Sequence, residues 1–206
     1  MSNFTRDYYE DGRAKGLSCY ENYRWMPEMT IPMCEAITKT IHLSKDETIL
    51  DFGCAKGYVV RALRELGFKA HGVDISEYAI NCSDPETKPF LTLLPEQGDF
   101  ELQPFDWILC KDVLEHLAEE QCHELLRKFK KTGARLFVIV PLGDGKSYTI
   151  PEMELDVTHK VRRSLRWWAE SIGEAGFAVS ALHFSVPGIK ENWTKAHPFG
   201  HGFIVT

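Results

Sequence analysis

A chain of 206 residues, 44% of them hydrophobic and 12% aromatic, is long enough to bury one good core and reads as a single soluble globular unit. Its net charge of −6 argues against a generic nucleic-acid binder, and the basic runs RKFKK (127–131) and HKVRR (159–163) read as solvated helix faces. Apolar runs far shorter than about 18 residues exclude a membrane-spanning helix, while six dispersed cysteines without zinc spacing, and no signal peptide, suit a reducing cytoplasm.

Residues 1–44 differ from the rest. FTRDYYEDGRAKGLSCYENYRW is aromatic and polar, with tyrosines at 8, 9, 20 and 23 and a tryptophan at 25. A helix is predicted from Pro27 or Pro32, with Met33, Ala36, Ile37 and Ile41 on one face. This segment reads as a cap or lid over a main domain, 45–206. There the pattern alternates. ETILDF (47–52) is a continuous apolar strand of the kind found in the middle of a parallel sheet. YVVRALRELG (58–67) is a helix stopped by Gly67, KAHGVDI (69–75) a strand, and SEYAINC a helix behind a Ser76 cap.

The stretch that follows is ambiguous until FDWILC (105–110), a strand. EEQCHELLRKFKK is a helix, ARLFVIVPL (134–142) a strand, and RSLRWWAESIGEAGF (163–177) a helix with Leu165, Trp168, Ala169 and Ile172 inward. AVSALHFSV (178–186) and GHGFIVT (200–206) are predicted as the closing strands. Strands alternating with helices imply a doubly wound α/β sheet with helices on both faces.

The turn after the first strand carries Gly53, Ala55 and Gly57 in a G-x-A-x-G arrangement. It is neither the G-x-G-x-x-G of a dinucleotide site nor a phosphate loop. Asp51, two residues before Gly53, would repel phosphates but suits a cationic ligand. Asp74, ending the second strand, stands where a carboxylate can accept both ribose hydroxyls. Together these acids ask for a nucleoside with a positive charge and no phosphate.

ILDFGCAKG followed by HGVDIS resembles the first two motifs of class I S-adenosylmethionine-dependent methyltransferases. GDF (98–100) resembles the family's segment at the end of the third strand, which would set Asp99 and the backbone of Phe100 against an adenine. FDWILCKDVLEHL resembles the fourth strand and the acidic turn behind it. The resemblance implies a seven-stranded, mostly parallel sheet with an antiparallel last strand. It also implies S-adenosylmethionine as cofactor, held by Asp51, Gly53, Cys54, Ala55, Gly57, Asp74, Ile75, Asp99 and Phe100. Ala55 departs from the glycine commoner in the family. Tyr20, Tyr23 and Arg24 from the cap are added as residues able to reach the cofactor, Arg24 through its carboxylate, and Lys111 as a strand-end lysine beside it.

The acceptor is expected at the carboxyl ends of the strands, near the cap, the turn 110–117 and the long loop 141–163. DVTHKVRRSLRWW resembles a D-x-x-H segment that many small-molecule methyltransferases carry, which makes His159 the first candidate for a base at a hydroxyl acceptor and His116 the second. If 112–116 is a helical turn, Asp112, Glu115 and His116 converge on one side and could bind a divalent cation, with His159 as fourth ligand. The metal is not favoured, because E-H at this position is widespread in the class without one and Asp112 replaces the usual glutamate. The resulting expectation is methyl transfer to a small or medium acceptor, oxygen before nitrogen. The alternatives are a non-catalytic methyltransferase-like partner protein and an NAD(P)-dependent oxidoreductase.

Overall fold

The computed structural model describes residues 3–96 and 98–206. The elements in chain order are α1 (Arg6–Glu10), α2 (Pro27–Thr40), β1 (Thr48–Phe52), α3 (Tyr58–Glu65), β2 (Lys69–Asp74), α4 (Glu77–Asn81) and β3 (Leu91–Leu93). They continue with β4 (Trp107–Lys111), α5 (Glu119–Lys131), β5 (Arg135–Pro141), α6 (Leu165–Glu174), β6 (Ala181–His183), α7 (Glu191–Thr194) and β7 (His201–Val205). The seven strands form one sheet in the order β3-β2-β1-β4-β5-β7-β6. All pairings among β1–β5 are parallel, and β7 runs antiparallel to both β5 and β6.

The central strands are buried on both sides, so each alternates between two cores rather than between core and water. Leu50, Phe52, Ile108, Cys110, Val138 and Ile204 pack against Leu126 and Phe129 of α5 and Trp168 and Ile172 of α6. Their neighbours Ile49, Leu109, Phe137, Ile139 and Phe203 pack on the other face against Ile37 of α2 and Val60 and Leu63 of α3. The helix ends follow local chemistry. Ser76 Oγ accepts the Ala79 N–H at 3.0 Å to cap α4, and Ser164 Oγ accepts the Trp167 N–H at 3.3 Å to cap α6.

Four local expectations are corrected. GDF does not end the third strand: β3 is the three-residue LTL at 91–93, an edge strand too short to show a period, and Asp99 lies in the loop beyond it. AVSALHFSV contributes only Ala181–His183, since this edge pairs on one side alone, with β7. The run 159–163 is irregular chain rather than a helix face: Arg162 pairs with Glu154 and Arg163 with Glu119. Residues 112–116 are not one helical turn either. Asp112 sits in the left-handed region at φ 55°, its N–H bonded to Ile139 O at 2.9 Å, and a 3-10 turn begins only at Leu114.

Candidate functional site

Strand order reverses between β1 and β4, and a cavity of about 460 Å3 opens there at the carboxyl ends of the strands. Its floor is the turn after β1. Gly53, Ala55 and Gly57 all have positive φ, at 81°, 49° and 78°. This alternation turns successive amides: Gly53 N–H and Cys54 N–H both donate to Val73 O, while Ala55 N–H donates to Asp74 Oδ2 at 2.7 Å. Ser76 N–H donates to Asp74 Oδ1 at 2.7 Å. Two backbone amides therefore fix the Asp74 carboxylate and leave its remaining lone pairs for a ligand. Ala55 holds a conformation that glycine adopts freely, so the one departure from the glycine pattern falls on a strained residue.

Asp51 is 3% exposed, and among the described residues no hydrogen bond reaches its carboxylate. Burial pushes its pKa up to about 7, with Lys111 opposing and Asp74 adding to the rise. It lies behind the cavity lining, on the α2 and α3 side of the sheet.

The roof is the amino-terminal arm. Phe4, Tyr8, Tyr9 and Tyr20 line the cavity, and Tyr20 meets Tyr23 edge-on at 4.9 Å. Lys56, inside the glycine turn, is buried and donates to Glu10 Oε1 at 2.5 Å and Tyr23 O at 2.7 Å. Ser76 Oγ donates to Phe4 O at 2.6 Å. The arm is thus tied to the glycine turn through Lys56 and to the head of α4 through Ser76. Val73, Ile75, Leu94 and Phe100 give the cavity an apolar side, with Glu124 and Lys128 of α5 at its rim.

His116 lines the cavity, and the His159 ring stands behind it with centroids 4.7 Å apart. His116 Nδ1 is 2.7 Å from Thr158 Oγ1, and His159 Nδ1 is 2.8 Å from Met153 O. Burial, and then the neighbouring His159, lower the His116 pKa to about 4; burial likewise lowers that of His159. Both rings are therefore neutral near pH 7, as a base or a metal ligand must be. Glu115 is 1% exposed, its Oε2 has no hydrogen-bond partner among the described residues, and burial raises its pKa.

A methyltransferase-domain family model matches residues 28–184, more than half of the chain. The chain belongs to this family, the class I, S-adenosylmethionine-dependent methyltransferases. A Dictyostelium discoideum protein named "Probable inactive O-methyltransferase 11" is 25% identical over 191 residues, covering 88% of this chain; the chain spans 58% of that relative's length. A ubiquinone biosynthesis O-methyltransferase of Coxiella burnetii is 28% identical over 164 residues, 68% of each chain. Among solved structures, a Haloferax volcanii methyltransferase in complex with its Trm112 activator superposes with a TM-score of 0.68 at 16% identity, covering 98% of this chain and 96% of that one. An Archaeoglobus fulgidus S-adenosylmethionine-dependent methyltransferase gives 0.61 at 18% identity, over 84% and 91% of the two chains. These structural likenesses share the fold.

In this methyltransferase fold the expected cofactor residues are only partly brought together. Gly53, Ala55, Asp74, Ile75, Phe100 and Tyr20 line the cavity. Cys54 and Gly57 shape the turn from behind. Asp99 is not in the lining: its side chain is 86% exposed and paired with Lys128. Arg24 is exposed and Tyr23 supports Tyr20 from outside the lining. Lys111 is turned to Asp112 Oδ2 at 2.8 Å. The proposed metal set loses Asp112, whose other oxygen is taken by Lys190 Nζ at 2.5 Å, while Glu115, His116 and His159 keep their ligand atoms within 4.8 Å of one another. Residues missed in sequence are Tyr8 and Tyr9, already conspicuous in the aromatic run, Asp156, whose place at the head of the D-x-x-H segment was its signal, and Lys190 and Thr158, which carry none.

Proposed function

We propose that the chain binds S-adenosylmethionine beneath the arm and moves its methyl group to a small or medium acceptor, an oxygen nucleophile before a nitrogen one. The observation that carries this reading is the Asp74 carboxylate, fixed by the Ala55 and Ser76 amides, in the same cavity as a neutral histidine. Asp74 would hold the ribose hydroxyls, Ile75 and Phe100 would flank the base, and the buried Asp51 would favour the cationic end. Bound there, the cofactor supplies a methyl group on a positively charged sulfur. The chain's own work is then to hold two reactants in line, exclude water with the arm, and accept the acceptor's hydroxyl proton on His116. His116 comes before His159 because it alone of the two lines the cavity. The Coxiella relative's name supports an oxygen acceptor.

Thermal shift with S-adenosylhomocysteine, NAD and NADP tests the reading. A ligand at 100 times its Kd stabilises by about 2.7 kcal/mol. The expected result is a shift with S-adenosylhomocysteine that Asp74→Ala removes; a shift with NAD alone overturns the reading.

A non-catalytic role is the second reading, favoured by the inactive standing in the Dictyostelium relative's name. It separates from the first by whether S-adenosylhomocysteine accumulates from S-adenosylmethionine when hydroxylated acceptors are supplied. A divalent cation would find three donors in Glu115, His116 and His159. Turnover in this reading does not need one, and exhaustive chelation is expected to leave it unchanged.

A further inference from the structure

The segment 156–159 does more than close a loop over the sheet. Asp156 is 5% exposed and Thr158 6%, and neither is among the residues that line the cavity. Asp156 Oδ1 accepts the Thr158 N–H at 2.9 Å and the Thr158 hydroxyl at 2.5 Å. Its other oxygen, Oδ2, accepts the Tyr8 hydroxyl at 2.6 Å. A carboxylate can only accept, so the single hydroxyl proton of Thr158 is committed to Asp156. Thr158 Oγ1 then has only lone pairs to offer His116 Nδ1, 2.7 Å away. That nitrogen must carry the ring proton.

We propose that Asp156 and Thr158 are positioning residues that set the tautomer of His116, keeping its proton on Nδ1 and leaving Nε2 as a bare lone pair. The role of that lone pair as the acceptor's base rests on the methyl-transfer reading; the tautomer does not. The chain of bonds runs Tyr8–Asp156–Thr158–His116, and its first member is part of the arm that roofs the cavity. The bonds that orient the base thus end on the arm that roofs the cavity. The neighbours of His116 leave this assignment intact. Phe4 meets its ring edge-on at 5.4 Å, and His159 directs its own Nδ1 to the Met153 carbonyl, which needs a proton there as well.

Long-range 1H–15N spectra of histidine-labelled protein at neutral pH read the tautomer directly and need no acceptor. Wild type and Thr158→Ser are expected to show His116 almost wholly as the Nδ1–H form. Thr158→Val, which keeps the shape and removes the hydroxyl, is expected to make that form a minority. Wild-type His116 found as the Nε2–H form, or no change in Thr158→Val, overturns the proposal. The wild-type spectrum alone decides if the variant fails to fold. Absence of an S-adenosylhomocysteine thermal shift, with the tautomer as stated, overturns the catalytic use of the arrangement and not the arrangement itself.

Discussion

At the residue scale, Asp51 is costly to the fold and, in the proposed function, favours the cationic end of the cofactor. Its carboxyl has a pKa near 7 in the folded chain because burial penalises the charge, against about 3.9 when exposed. The folded state thus holds a proton that the unfolded state has lost between these values. Stability contributed here is present at low pH and is lost as pH rises through 7. Asp51→Asn is expected to stabilise the unliganded protein by about 1–3 kcal/mol at pH 8, with a smaller gain at pH 5. Urea melts at the two pH values check this; equal gains would mean that Asp51 is ionised throughout. The same substitution should weaken binding of the cationic cofactor more than that of neutral S-adenosylhomocysteine.

At the element scale, the connection between β6 and β7 is pinned by a buried charge cluster. Lys190, with φ 52° at the amino end of α7, reaches Asp112 Oδ1 at 2.5 Å and lies 3.1 Å from His201 Nε2. Lys111 holds the other oxygen of Asp112, and its charge and that of Lys190 keep the carboxyl far below its ordinary range. Lys190→Met leaves Asp112 one partner, so the expected cost is about 1–3 kcal/mol, below the 3–5 kcal/mol of a pair broken outright. Denaturant melts give the cost, and faster proteolytic cleavage within 186–200 is expected beside it. An unchanged melt would show that Lys111 alone satisfies Asp112. This cluster also explains why the D-V-L-E-H spacing misled: helical periodicity brings 112, 115 and 116 together only if the chain is helical, and the adjacent Lys111, the distant Lys190 and a strand-end hydrogen bond hold Asp112 elsewhere.

At the scale of the whole molecule, the arm and the sheet are held by different means. Both large cores lie on the sheet and on α2–α6, whereas the arm contributes Tyr8 and Tyr9 to a small cluster with Ala79. Removing residues 1–25 is expected to leave the sheet folded by circular dichroism and to cut S-adenosylhomocysteine affinity at least 10-fold, about 1.4 kcal/mol or more. Unchanged affinity in calorimetry would make the arm a cover and not part of the site.

The sequence by itself determined the alternation of strands and helices, the glycine turn and the two acids around it. These are local facts: continuous apolar strands, a helix period, and the small residues that a tight turn requires between one strand and the next helix. GDF misplaced the third strand because a three-residue edge strand has no period to read. Only the tertiary structure decided which tyrosines reach the cavity, that Asp112 belongs to Lys111 and Lys190, and that Asp156 and Thr158 stand behind His116. Tyr8 and Asp156 are 148 residues apart, and their bond exists because the arm crosses the carboxyl edge of the sheet onto the loop after β5. Hydrogen-bond partners of that kind follow from how layers meet, and no spacing along the chain encodes them.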